Sequence, residues 1–101
     1  MPEKEFIIWI DEGRILTWRD IREGEVLAFR VVLLVDIGGE RHCVARYDTA
    51  HGAPHQDILG RTKGTLEKRW FYQSSYEKVF AYAIRDIEAH AQEYIRFYWE
   101  N

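Results

Sequence analysis

Residues 26–48 read VLAFRVVLLVDIGGERHCVARYD, and the way this stretch folds decides the architecture. Val26 to Val35 is rich in β-branched residues, Gly38-Gly39 is a turn signal, and His42 to Asp48 is a returning strand. The pattern predicts a β-hairpin. Two registers compete. A two-residue loop pairs Leu33 with Val44 and sets Cys43, Ala45 and Tyr47 opposite the even-numbered side. A three-residue loop, Ile37-Gly38-Gly39, pairs Val35 with Arg41, Leu33 with Cys43, Val31 with Ala45 and Phe29 with Tyr47. The second makes one face almost wholly apolar, as a helix-covered sheet requires, and is the register expected. Its other face sets Arg30 opposite Arg46, Val32 opposite Val44 and Leu34 opposite His42, with Asp48 at the strand's end. Like charges directly opposite are destabilising. Either Asp48 or Glu67 neutralises the arginines, or an anion such as phosphate sits between two guanidinium forks.

Outward from the hairpin, the clearest element is C-terminal. Ser74-Ser75-Tyr76-Glu77 has the form of a capping box. After it Tyr76, Val79, Phe80, Ala83, Ile84, Ile87, Ala91, Tyr94, Ile95 and Tyr98 recur at steps of three and four, one apolar stripe on a long helix. Arg85, Asp86, Glu88, Gln92, Glu93 and Arg96 form its expected solvated side. Two more strands are predicted: Arg14 to Trp18, before a turn at Arg22-Glu23-Gly24-Glu25, and Thr65 to Tyr72, after the turn Gly60-Arg61-Thr62-Lys63-Gly64. Phe6 to Ile10 reads as an edge strand or a short helix. The expected fold is a single α+β domain over residues 1–101, a three- to five-stranded antiparallel sheet with one long C-terminal helix across one face.

Composition limits the function. No apolar run approaches the roughly 20 residues of a membrane span, so no membrane partner is expected. Cys43 is the only cysteine, which rules out an intramolecular disulfide and fits a cytoplasmic location. A net charge of −3 excludes a wholly basic nucleic-acid binder but leaves room for a basic patch. Residues 40–73 carry six bases against four acids and three of the four histidines, so anions are expected there. Lys63, Lys68 and Arg69 extend that basic stretch or form a solvated hairpin. Trp70 and Tyr72 pack in the core or stack bases on an open face. Cys43 reads as an inert core thiol and His90, four residues after Asp86, as an exposed pair.

The densest cluster is Arg46-Tyr47-Asp48-Thr49-Ala50-His51-Gly52-Ala53-Pro54-His55-Gln56-Asp57, where a strand ends and a loop is expected. Gly52 and Pro54 break regular structure, so this His-x-x-x-His is not a helical zinc pair. Three readings stay open. His51 and His55 exchange protons beside Arg46 during cleavage of a phosphodiester at a ribose 2′-OH, with Tyr47 as an auxiliary donor. Alternatively Asp48, His51, His55 and Asp57 ligate a divalent metal, although no established spacing is matched. In the third, Asp48 and Asp57 accept backbone N–H bonds in turns and the histidines fasten the loop.

Val44-Ala45-Arg46-Tyr47-Asp48-Thr49-Ala50-His51-Gly52, then Pro54-His55, Asp57 and Lys68-Arg69-Trp70, resemble an uncharacterised family of small prokaryotic proteins over roughly residues 14–98. More distantly the pattern is similar to TumE-like toxins of toxin–antitoxin pairs, although Gln56-Asp57 stands where those toxins carry a denser His/Arg cluster. The resemblance implies an RNA-directed role. The expectation is a toxin-like protein acting on RNA, a metal-independent endoribonuclease without cofactor. His51, His55 and Arg46 would be catalytic, and Arg30, Tyr47, Asp48 and Asp57 would bind substrate. The alternative is a non-enzymatic interaction module: a homodimer, or the partner of an antitoxin or neighbouring-gene product, joined through Val32, Leu34 and Val44.

Overall fold

The computed structural model describes residues 3–101. Six strands follow one another as an antiparallel meander: β1 (Glu3–Ile10), β2 (Gly13–Arg22), β3 (Glu25–Ile37), β4 (Glu40–Asp48), β5 (His55–Gly60) and β6 (Gly64–Trp70). One helix, α1 (Tyr76–Glu100), then lies across β3, β4 and β5. The α+β architecture is as expected, but the sheet has six strands rather than three to five. Phe6 to Ile10 belongs to strand β1, and β5 replaces part of the expected loop. His55-Gln56-Asp57 lacks apolar alternation because polar groups fill both its faces, so the usual strand signal is missing.

The β3–β4 register differs from the one expected. The turn has two residues, with Ile37 opposite Glu40, and Gly38 and Gly39 take φ of +61° and +82°. Such left-handed pairs match the twist of a tight hairpin. Pairing then slips by one residue between Leu33 and Leu34, leaving Val44 as the extra residue of a bulge. Beyond it Leu33 faces Ala45, Val31 faces Tyr47, Val32 faces Arg46 and Arg30 faces Asp48. The Arg30–Arg46 opposition therefore does not form, and neither do the Val32–Val44 and Leu34–His42 pairs. The two-residue turn changes the partners on its side, where His42 faces Val35 and meets Tyr98 of α1. The bulge restores parity beyond it, so Phe29, Val31, Leu33, Ala45 and Tyr47 share the helix-covered face as expected.

That face is the core. Ile15, Phe29, Val31, Leu33, Ala45 and Tyr47 meet Val79, Phe80, Ala83, Ile87 and Ala91 of α1. Tyr76, Ile84, Tyr94, Ile95 and Tyr98 pack around them, so all ten stripe positions touch the core. Burying each large apolar side chain is worth about 1.5–3 kcal/mol. Ser75 caps α1, its Oγ accepting from Lys78 N–H at 3.2 Å. Lys78, not Glu77, thus occupies the third helical position, and the reciprocal carboxylate of a capping box is absent. At the far end the β5–β6 turn completes the helix: Arg61 N–H donates to Tyr98 O and Lys63 N–H to Asn101 O, both at 2.9 Å. A Cβ at Gly60 would stand 2.8 Å from Asn101 O, so the close approach needs glycine there.

Asp86 is a second departure from expectation. It lies on the inner side of α1, where its carboxylate accepts from Tyr47 OH at 2.6 Å and from Tyr94 OH. Gln56 Nε2 donates to the Tyr94 hydroxyl at 2.6 Å. Burial and the adjacent carboxylate raise both tyrosine pKa values, so the phenols stay protonated donors. His90 Nδ1 approaches both Asp86 O and Asp86 Oδ1 at 3.0 Å, and α1 kinks at His90. These contacts with Asp86 raise the His90 pKa.

Candidate functional site

Successive strand residues point to opposite faces, so the pairings place the side chains on the face away from α1. One row crosses the sheet as Ile7, Leu16, Val32, Arg46, Asp57 and Lys68. Its neighbour runs Glu5, Trp18, Arg30, Asp48, His55 and Trp70. The uncovered face thus divides into an apolar half on β1–β3 and an ionic half on β4–β6. Arg30 stands at the border, exposed, in a groove it shares with Ile7, Leu16, Trp18 and Val32.

In the ionic half Asp57 is only 2% exposed although no helix covers it. Arg46 donates to its Oδ2 from Nε at 2.8 Å and approaches with Nη2 at 2.7 Å. Lys68 Nζ donates to Oδ1 at 2.8 Å. Burial alone would raise the carboxyl pKa, but the bonds from Lys68 and Arg46 outweigh it and hold the group below its ordinary value. The Arg46 pKa rises in turn, the pairing with Asp57 overcoming the cost of burial. Asp48 Oδ1 accepts from Ala50 N–H at 2.9 Å, an Asx turn that starts the connection to β5. Asp48 Oδ2 lies 3.7 Å from Arg46 Nε.

His55 sits between the carboxylates, 1% exposed. Its Nδ1 is 3.2 Å from Ala53 O, which fixes that nitrogen as the donor. Its Nε2 faces Asp48 Oδ1 at 3.2 Å and Asp57 Oδ1 at 3.8 Å. Trp70 covers the ring at a centroid distance of 4.7 Å, and Tyr72 stacks on Trp70 at 5.4 Å with planes 8° apart. Tyr72 is 72% exposed, so this aromatic shelf opens to water. Lys68 Nζ stands 5.8 Å from the Trp70 ring centre. His51 is exposed, with a left-handed φ of +68°, and its ring lies 6.3 Å from that of His55.

The fold therefore gathers Arg46, Asp48, His55 and Asp57, places His51 alongside, and sets Arg30 across the ladder from Asp48. Tyr47 does not join them: it is fully buried on the helix side with its hydroxyl on Asp86. Asp48 accepts a backbone N–H, as the turn reading expects, whereas Asp57 is ion-paired instead. His55 is enclosed, while His51 stays accessible, so the two histidines are not equivalent proton carriers. Cys43 pairs with Leu34 on the uncovered side rather than facing the core, because the two-residue turn shifts the pairing there. It is half-buried and burial raises its thiol pKa. Lys68 and Trp70 are central to the cluster rather than peripheral. Their i, i+2 spacing on one strand was the available signal, and only the β5–β6 pairing gives it meaning. No helix is long and apolar enough to cross a membrane among the described residues.

Residues 1–101 match DUF7718, a domain of unknown function, and the chain belongs to that family. No curated protein and no solved structure matches it.

Proposed function

We propose that this DUF7718 protein binds single-stranded RNA across the ionic half of its uncovered sheet face. The observation that carries the reading is the Trp70–Tyr72 stack, whose outer ring Tyr72 is exposed, set beside Lys68, Arg46 and Arg30. Stacked aromatics accept any base and contribute about 1–3 kcal/mol per base, while a cationic groove follows the phosphates. Arg46 and Lys68 are balanced by Asp48 and Asp57, so the exposed Arg30 tips the surface toward anions. Cleavage is the finer part of the proposal. It assigns proton transfer at a ribose 2′-OH to the accessible His51, phosphate contact to Arg46 and Lys68, and positioning to the enclosed His55. The toxin-like role rests on the resemblance of the Arg46–Gly52 segment alone.

The test is anisotropy with a labelled RNA oligonucleotide, followed by a gel assay for cleavage. Tyr72→Ala and Lys68→Ala should each weaken binding about tenfold or more, and His51→Ala should stop cleavage without moving affinity. Binding equal in the parent and Tyr72→Ala proteins would falsify the RNA reading.

The apolar half favours a second reading, association with another copy or with a neighbouring-gene product such as an antitoxin. Ile7 and Trp9 on edge strand β1 are 50% and 72% exposed. Light scattering checks this directly, and a strict monomer with no co-purifying partner counts against it.

A further inference from the structure

From the geometry around His55 we infer a divalent metal site formed by Asp48, His55 and Asp57, with a first-row transition ion such as Zn2+ as its occupant. One ligand atom from each residue lies within 4.8 Å of the other two. Two ligands on one ion, each about 2.0–2.2 Å from it, stand at most about 4.4 Å apart. The His55 Nε2 distances of 3.2 and 3.8 Å to the two carboxylates fall inside that limit.

The imidazole supplies the independent argument. The Ala53 carbonyl faces Nδ1 at 3.2 Å, which leaves Nε2 turned toward the two carboxylates. A backbone carbonyl holding the other ring nitrogen is the usual arrangement behind a metal-bound histidine. The side chain is only 2% exposed, and the close neighbours of Nε2 are carboxylate oxygens. Two carboxylates and one imidazole nitrogen converge there, the donor types of a cation site, and a cation at their centre would neutralise the carboxylate charge. The nitrogen ligand favours a transition ion over Mg2+ or Ca2+, which prefer oxygen.

Lys68 and Arg46 compete for this ion because both hold Asp57, and Lys68 takes the same Oδ1 that faces His55. With an ion bound the carboxylate charges are neutralised, and Arg46 and Lys68 are left to attract an anion. The site departs from the metal-free chemistry expected from the sequence. It stands without the RNA reading, and if RNA binds there the ion faces phosphate.

The test is calorimetric titration of the whole protein with Zn2+ in the absence of RNA. One ion per chain is expected. His55→Ala and Asp48→Asn should each weaken it about tenfold or more. The amide oxygen left by Asp48→Asn can still accept from the Ala50 N–H, so this second variant keeps the turn if His55→Ala unfolds. Lys68→Ala should bind Zn2+ more tightly than the parent while binding RNA more weakly, which separates this site from the RNA reading. No binding by the parent, equal binding in Asp48→Asn, or an unchanged affinity in Lys68→Ala overturns the three-ligand site.

Discussion

Strands β4 and β5 carry two polar networks back to back, and they are built differently. On the covered side Tyr47 and Gln56 reach Asp86 and Tyr94 of α1. One carboxylate is met there by hydroxyl donors, with His90 at its outer edge. On the uncovered side the intervening residues Arg46, Asp48, His55 and Asp57 set two carboxylates among cations and an imidazole whose Nε2 faces both carboxylates. The first arrangement is saturated and ties the helix to the sheet. The second is paired mainly by charge and lies on the face that no helix covers. Adjacent residues of one strand can thus belong to separate networks, because successive side chains point to opposite faces of the sheet.

Substitutions can break or sharpen that contrast. The largest stability loss is expected on the covered side at Ile87→Ala, about 2–5 kcal/mol by urea unfolding, since Ile87 is fully buried between helix and sheet. An unchanged midpoint would mean that α1 is not anchored by its stripe. Next is Asp57→Ala, about 1.5–3 kcal/mol for the lost charged hydrogen bonds, reduced to the extent that Arg46 and Lys68, each about one-third exposed, turn to water. Its pH dependence has a definite sign. Because the folded pKa of Asp57 lies below the ordinary value of 3.8, its contribution is complete above that value and is lost as pH falls through the folded pKa. An Asp57→Asn protein should therefore lose less stability than the parent between pH 4 and pH 2, measured by urea titration at each pH (window set by roughly the unperturbed carboxylate range).

Tyr47→Phe should cost less, on the order of 1 kcal/mol, because Tyr94 and His90 continue to serve Asp86. A much larger loss would make Tyr47 the principal link between helix and sheet. Smallest is Tyr72→Ala, within about 0.5 kcal/mol for an exposed residue, although the same change is the one expected to weaken RNA binding. If it unfolds the protein instead, the aromatic shelf belongs to the core and the two faces differ less than their chemistry suggests.

Local patterns made much of the fold legible. The ten-residue stripe of α1 repeats at helical spacing, and all ten positions pack on the sheet. The turns at Glu23-Gly24 and Gly60–Gly64 carry their own glycine signals and lie where expected. Strand β5 escaped because its polar residues are buried by neighbours distant in the chain, which erases alternation. The β3–β4 partners escaped because the turn takes two residues rather than three and an extra residue, Val44, then shifts the ladder without leaving a mark in composition. The cluster from Arg46 to Asp57 stood out by residue type, and strand alternation alone already set Tyr47 on the apolar face and Arg46 on the other, which argued against Tyr47 as a substrate-binding residue.

Apolar periodicity and turn chemistry, both local properties, were enough to determine an antiparallel sheet covered by a C-terminal helix. Tertiary structure alone decided that Lys68 reaches Asp57, that Asp86 holds Tyr47 across 39 positions, and that His55 is enclosed while His51 is not. Those outcomes depend on strand pairing and burial, in which the charge, donors and solvent around a side chain come from residues far along the chain.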